Sequence, residues 1–187
     1  MVYNRLLATM MDRIADLLAI QGEASYRVQA YRRAAQTLAR LDEDIRTYWM
    51  QGQLETLPHI GPALAKKIDE VLRTGRLRYL ERLEQEVPPT LLDLLALPGL
   101  GPSRVRLLWQ QAGVTSLEDL ARALDEGRLE GLKGLGPKTL AQLRAALRQR
   151  TAPRWLLDQA WEVARTLAHD AVARGWALRA RPTGAVR

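Results

Sequence analysis

Leu57–Pro62 has the sequence LPHIGP, and the same hexamer recurs as LPGLGP at Leu97–Pro102 and as LKGLGP at Leu132–Pro137. Each copy opens a segment of helix-forming residues, with apolar residues three and six positions after its last proline. These pairs are Ala65 and Ile68, Val105 and Leu108, and Leu140 and Leu143. The repeat therefore predicts three units, each a tight turn followed by an amphipathic helix.

The Gly-x-Gly-Pro core of the repeat has a specific backbone chemistry. Glycine takes a positive φ without steric cost, so the turn can be tight and its N–H groups can approach a ligand closely. Proline suits the first helical turn, and the helix N-terminus that follows offers amide donors and a partial positive charge to a phosphate. A single copy could serve only as a turn, but three copies in register favour contacts to a nucleic-acid backbone, which position a protein without reading bases.

Composition indicates a helical globular protein. The chain has 187 residues, 47% of them hydrophobic, with Leu- and Ala-rich segments between Gly and Pro residues. We expect an all-α fold of two small helical subdomains that carry the three turn-helix units, followed by a long C-terminal helix and a short extended tail. The predicted domains are residues 1–86, 88–150 and 151–187, with Val87-Pro88-Pro89 as the first boundary.

Helix periodicity and end signals predict the individual elements. Ser25 is a predicted N-cap. The predicted helices are Asn4–Ile20, one from Ser25 to about Arg40, Asp42–Gln51, one from the first turn to about Arg73, Arg76–Glu86, one from about Ser116 to Glu126, and Trp155–Arg174, with Trp176–Arg187 as the tail.

Charge and cysteine content limit the partners and metal sites. The formal net charge of +7 suits a polyanionic partner, and all but four of the 28 basic residues are arginines. The absence of cysteine excludes disulfides and thiolate metal sites, and His59 and His169 cannot form a zinc site alone. Charges near the N-terminus and the lack of a long apolar run predict a monomeric cytoplasmic protein without a membrane partner.

The hexamers are helix-hairpin-helix motifs in a chain that resembles a known family. Together with Tyr26–Ala35 (YRVQAYRRAA) and Thr74–Leu77 (TGRL), they resemble the N-terminal region of family X (polymerase beta-like) DNA polymerases, most closely the bacterial branch. The likeness runs from about Asn4 to Arg150. In that family a lyase-like domain binds the 5′ end of gapped or nicked DNA, and the hairpins grip the duplex. The resemblance implies non-sequence-specific DNA binding in base excision repair.

The resemblance also implies roles for single residues. Lys67 matches the lysine that some members use as a Schiff-base nucleophile on 5′-deoxyribose phosphate, and Arg27 and Tyr31 match residues lining the same pocket. An amine can form a Schiff base whereas a guanidinium cannot, but a phosphate contact or a solvated surface position is the simpler explanation of Lys67. The implied DNA-binding residues are Gly61, Ala63, Lys66, Gly99, Gly101, Ser103, Arg104, Gly134, Gly136, Lys138, Thr139, Arg27 and Tyr31.

A monovalent cation is the one cofactor that the resemblance implies. It would be Na⁺ or K⁺, held at the hairpins by main-chain oxygens and not required for binding. The implied ligands are the backbone carbonyls of Glu55, Leu57, Ile60, Leu95, Leu97 and Leu100.

Two departures from the family pattern bear on function. In the first hairpin Glu55 and Ala63 replace expected lysines and His59 replaces the first glycine, which should weaken an anion pocket. After Gly184, Ala185 stands where the family has Ser, and the carboxylates that hold the metals for nucleotidyl transfer do not follow. We therefore expect no nucleotidyltransferase activity and no catalytic palm. An active lyase and a helical protein-interaction module are the alternatives.

The five tryptophans allow two interpretations. They could stack on unpaired bases. Packing between helices is the interpretation that the sequence favours, because Trp109 lies on the face of a hairpin helix.

Overall fold

The computed structural model describes residues 2–150, and helices are the only regular secondary structure in that range. The elements are α1 (Val2–Gln21), α2 (Ser25–Arg40), α3 (Ile45–Met50), a 3₁₀ turn (Leu54–Thr56), α4 (Pro62–Thr74), α5 (Arg78–Glu86), α6 (Leu91–Leu95), α7 (Pro102–Ala112), α8 (Leu117–Asp125) and α9 (Pro137–Arg150). The all-α prediction is confirmed. The predicted helix Trp155–Arg174, the tail Trp176–Arg187 and the domain 151–187 lie outside the described residues.

The chain divides into one compact unit of Met1–Leu143 and a second of Arg144–Arg187. Only the last turns of α9 represent the second unit among the described residues, so the site below belongs to the first. The predicted boundary at Val87 stays a prediction. Over residues 2–150, no helix combines the length and apolarity that crossing a membrane requires.

The core of the first unit is organised around α1. Its buried stripe includes Leu7, Met11 and Ile14, which are inaccessible to solvent, and α1 packs against α2, α5 and α7. Asn4 is its one buried polar side chain: Oδ1 accepts from the N–H of Ile45 at 2.9 Å and Nδ2 donates to the carbonyl of Glu43 at 2.8 Å. Because each buried polar atom is satisfied, this residue fixes the segment before α3 against α1.

The predicted N-cap of α2 is wrong, and three predicted helix starts differ from the structure: α1 begins at Val2 and α5 at Arg78, two residues from their predicted starts, and α3 is the third. Ala24, not Ser25, is the N-cap residue of α2, and the Ser25 side chain makes no capping hydrogen bond because Ser25 is already helical. Helix α3 begins at Ile45, not at Asp42, because the Asp44 carboxylate accepts from the N–H of Arg46 at 3.0 Å and caps the helix there.

The three hairpins share one backbone feature. The first position of each Gly-x-Gly turn is left-handed, with φ of 83° at Gly99, 100° at Gly134 and 64° at His59. His59 is the one non-glycine residue with positive φ among the described residues. The turn therefore forces a left-handed conformation on His59, which is unfavourable for a residue with a side chain; glycine would adopt it without this strain.

This strain predicts the effect of substitution at His59. We expect His59→Val to lower the free energy of unfolding by about 1–2 kcal/mol, because a β-branched side chain tolerates φ of 64° poorly. His59→Gly should stay within about 1 kcal/mol of the parent, since relief of strain is offset by chain entropy. Urea unfolding measures both. Gln53→Val, at an exposed position with φ of −106°, is the control, and an equal loss there would contradict the explanation.

Candidate nucleic-acid interface

Each hairpin is anchored inside the protein by its middle residue. Ile60, Leu100 and Leu135 are 3%, 5% and 3% exposed, although the residues on either side of each are exposed. A Cβ built at Gly61, Gly101 or Gly136 would meet no atom within 4 Å. Burial of the apolar residue thus turns the second glycine of each repeat outward, with open space in front of its main chain.

Open main-chain amides follow these glycines. The helices α4, α7 and α9 each begin with proline, and the N-caps Gly61 and Gly101 have extended backbones and no side chain to cap the helix. Among the described residues, no acceptor faces the amides of Gly61 and Ala63, of Gly101 and Ser103, or of Gly136 and Lys138. Each helix therefore presents two free donors at the positive end of its dipole.

Ion pairing leaves cations free at the same places. Many arginines of the described helices are paired with carboxylates, for example Arg32 with Asp16 and Arg73 with Asp69. Lys66, Lys133 and Lys138 are exposed, and none forms an ion pair within the described range. Free lysines thus accompany the hairpins, which the even spread of charge along the sequence does not reveal.

Arg104 connects the second and third hairpins. Its Nη1 donates to the carbonyl of Gly99 at 2.6 Å, and its Nε donates to the carbonyl of Gly134 at 3.1 Å. A Cβ at Gly99 would stand 3.8 Å from Cγ2 of Thr139 and 3.6 Å from Oε1 of Gln142, so the second turn lies beside the start of α9. The DNA contact expected for Arg104 from the sequence stays a prediction. The sequence did not indicate this bridge, which holds the two turns at a fixed separation.

Lys67 lies in a cavity of about 520 Å³, here called the Lys67 pocket. Its Nζ is 4.8 Å from the centroid of the Tyr79 ring. Burial lowers the pKa of the Lys67 amine, the nearby charge of Arg27 adds to that effect, and Glu70 opposes it. The lining residues are Pro62, Ala63, Lys66, Lys67, Glu70 and Tyr79.

Tyr79 joins the residues that the resemblance assigned to this pocket. Tyr31 is buried and its ring lies parallel to that of Tyr79, with centroids 6.1 Å apart, while burial raises the pKa of the Tyr31 hydroxyl. Arg27 lines a smaller cleft that also includes Tyr79, and pairs with Glu23 at 2.7 Å. Nothing in the sequence pointed to Tyr79, because its ring reaches Lys67 only in the folded chain.

The carbonyls implied as cation ligands differ in whether they already accept a hydrogen bond. The carbonyls of Leu57 and Leu97 accept from the second residue of their own turns, Ile60 N at 3.2 Å and Leu100 N at 3.1 Å. No donor within the described range reaches the carbonyls of Glu55, Ile60, Leu95 and Leu100. Residues 2–150 contain no cluster of His, Asp and Glu suited to a metal ion. Main-chain carbonyl oxygens are therefore the ligands that the hairpins could provide to a cation, and hard oxygen ligands of this kind fit Na⁺ or K⁺.

Comparison with known proteins gives the class. Residues 2–77 match the family described as Helix-hairpin-helix domain, and residues 91–149 match the SAM-like Helix-hairpin-helix tandem. The fold and the turns therefore define a protein of helix-hairpin-helix domains, one hairpin in the first and two in the second.

Three relatives give more specific information than the two domain families. The chain is 31% identical to DNA polymerase/3′-5′ exonuclease PolX of Bacillus subtilis over 146 residues. The aligned stretch covers 78% of this chain and 25% of that protein. It is 25% identical over 118 residues to DNA polymerase lambda of Rattus norvegicus, 63% of this chain and 20% of that protein. ATP-dependent DNA helicase Hel308 of Aeropyrum pernix is 34% identical over 96 residues, 51% of this chain and 12% of the helicase.

The likeness to the N-terminal helix-hairpin-helix region of family X DNA polymerases, predicted from the sequence, is thereby confirmed. The chain spans a quarter or less of the length of these relatives.

The bridge at Arg104 predicts a stability effect. We expect Arg104→Met to lower the free energy of unfolding by about 1–2 kcal/mol, because two charge-assisted hydrogen bonds are lost at a half-exposed site. Arg33→Met is the control, since Arg33 is exposed on α2 and makes no ion pair in the described part of the chain. Urea unfolding compares the two, and equal effects would show that the bridge contributes nothing.

Proposed function

We propose that the chain binds DNA without sequence specificity through backbone phosphates, as the N-terminal part of a family X polymerase acting in DNA repair. The carrying observation is the set of three proline-initiated helix starts with open amides and unpaired lysines beside them. The chain would act as a cytoplasmic monomer and prefer gapped or nicked DNA to intact duplex. A monovalent cation at the hairpin carbonyls would bring additional positive charge to the phosphates.

The arrangement of the hairpins supports this mode of binding. Backbone amides contact phosphates irrespective of the base sequence, so the glycines can hold a duplex without reading it. Arg104 keeps the second and third hairpins at one separation, which suits a duplex whose phosphates are regularly spaced. The first hairpin opens beside the Lys67 pocket, where a terminal 5′-phosphate would meet Ala63, Lys66 and Lys67. A gap or nick supplies such an end and intact duplex does not.

Salt dependence tests the phosphate contacts. With about four to six phosphates engaged, the slope of log K against log salt should be about −4 to −5 on duplex DNA. Lys138→Ala should weaken binding for every sequence and reduce that slope by about 0.9, because one released counterion is lost. Fluorescence anisotropy with duplex, nicked and 5′-phosphorylated gapped DNA measures both quantities.

Arg122→Ala serves as the matched control, since Arg122 lies on α8, outside the three hairpins, and its Nη2 is 3.7 Å from Oδ1 of Asp119. It should leave the slope unchanged. A slope near zero for the parent protein would refute phosphate binding and favour the protein-interaction module. Equal affinity for gapped, nicked and intact DNA would refute only the preference for ends.

The Lys67 pocket favours 5′-deoxyribose-phosphate lyase activity as a second candidate function. A lowered pKa leaves more of the Lys67 amine neutral at a given pH than for an exposed lysine, and the neutral amine is the nucleophile. It would attack the C1′ aldehyde of the sugar and expel water as the imine forms. Tyr79, Tyr31 and Arg27 lie around the amine and would shape the pocket for the sugar phosphate.

Borohydride trapping on DNA with an incised abasic site tests the lyase. We expect a covalent adduct that Lys67→Ala and Lys67→Arg both abolish, because a guanidinium cannot form the imine. Lys66→Ala, which removes the neighbouring exposed lysine, should keep the adduct. The trapping rate should rise with pH and level off below the ordinary lysine pKa of 10.5, since burial lowers the pKa of Lys67. An adduct that survives Lys67→Ala would disprove the assignment.

A further inference from the structure

A larger cavity, of about 590 Å³, lies on the neighbouring face of α4 and is here called the Trp49 pocket. Helix α3 contributes Trp49 and Met50, and Met50 is 75% exposed although it is apolar. Helix α4 contributes both cations and one carboxylate. The full lining is Trp49, Met50, Gly52, Leu54, Glu55, Ala65, Lys66, Asp69 and Arg73.

Asp69 holds the wall of this pocket in place. It accepts a hydrogen bond from Nε1 of Trp49 at 2.7 Å, and its two oxygens accept from Nε of Arg73 at 2.8 and 2.9 Å. The indole N–H and then the guanidinium lower the pKa of the Asp69 carboxyl, so it stays ionised. The guanidinium lies 5.8 Å from the Trp49 ring centroid. Because its only polar atom is already bonded, the indole is oriented and offers the pocket an aromatic surface.

The charges of the Trp49 pocket cancel. Glu55 and Asp69 carry two negative charges, and Lys66 and Arg73 carry two positive ones. A phosphate would gain little there, whereas a neutral planar group with polar edges could stack on Trp49 beside Met50 and hydrogen-bond to the charged rim. A nucleobase has that chemistry, since every base has a π-face and an edge of donors and acceptors.

The Trp49 pocket and the Lys67 pocket share one wall. Lys66 lines both, and the helical advance of 100° per residue places Asp69 and Arg73 on one side of it and Lys67 and Glu70 on the other. A strand whose phosphate lies at the N-terminus of α4 can therefore pass Lys66 and place its adjoining base in the neighbouring cavity.

We propose that the Trp49 pocket binds one unpaired nucleobase, that of the 5′-terminal nucleotide of a strand whose 5′-phosphate lies in the Lys67 pocket. This inference rests on the proposed DNA binding and adds to it a contact with a base. The contact is by stacking, so it accepts any base and keeps the binding non-sequence-specific.

Two 5′-phosphorylated single strands test the proposal, identical except that one carries tetrahydrofuran in place of the 5′-terminal nucleoside. We expect the strand with the base to bind the parent protein about 5- to 150-fold more tightly, the range for stacking of one base on an aromatic side chain. Trp49→Leu should abolish this preference and bind both strands as the parent binds the tetrahydrofuran strand. Trp109→Leu, at the half-exposed tryptophan of α7, is the matched control and should preserve the preference.

Met50→Ser guards against a folding defect in the tryptophan variant, because Met50 is exposed and supports no core contact that its loss would break. It should reduce the preference while leaving the thermal melt unchanged. A 2-aminopurine at the 5′ terminus should be quenched by the parent protein and not by Trp49→Leu. Equal affinity of the parent for both strands, with salt-dependent duplex binding intact, would overturn the base pocket alone. Loss of duplex binding as well would overturn the proposed function with it.

Discussion

Burial of one apolar side chain between two glycine positions is the constraint on which the proposed interface depends. Ile60, Leu100 and Leu135 each enter the core, and each follows a left-handed residue; the glycines after Ile60 and Leu100 are extended. Since a proline follows at once, the helix begins with no side chain to cap it. The hydrophobic effect thus holds open a set of amides that would otherwise find partners.

Ion pairs and hydrogen bonds within the protein determine which basic side chains are free to attract an anion. Several arginines of α1, α2, α4 and α5 are held by carboxylates, and Arg104 is held by two glycine carbonyls. The free lysines stand next to the helix starts, where the dipole already favours an anion. Net charge alone therefore does not show which of the basic residues are available to DNA.

Helix α4 combines three chemical environments in four turns. Its N-terminus offers amides, one face buries the Lys67 amine against Tyr79, and the adjacent face presents the Trp49 and Asp69 pair. Desolvation on the first face lowers the pKa of an amine, whereas hydrogen bonds from Trp49 and Arg73 on the second lower the pKa of a carboxyl group. Neighbouring sites on one helix can accordingly serve a phosphate, a sugar aldehyde and a base.

The sequence by itself determined the helical class, the three repeats and the open turns, because these follow from local backbone preferences of Gly and Pro and from apolar spacing. It also indicated Lys67, Arg27 and Tyr31 by resemblance, but it misplaced the N-cap of α2 by one residue and the start of α3 by three, because local capping energies decide where a helix begins. Only the tertiary structure brought Tyr79 to Lys67, Arg104 across two hairpins and Trp49 to Asp69. These contacts join residues that are 12, 30 and 20 positions apart, and no local preference encodes such pairings; they arise from how helices pack.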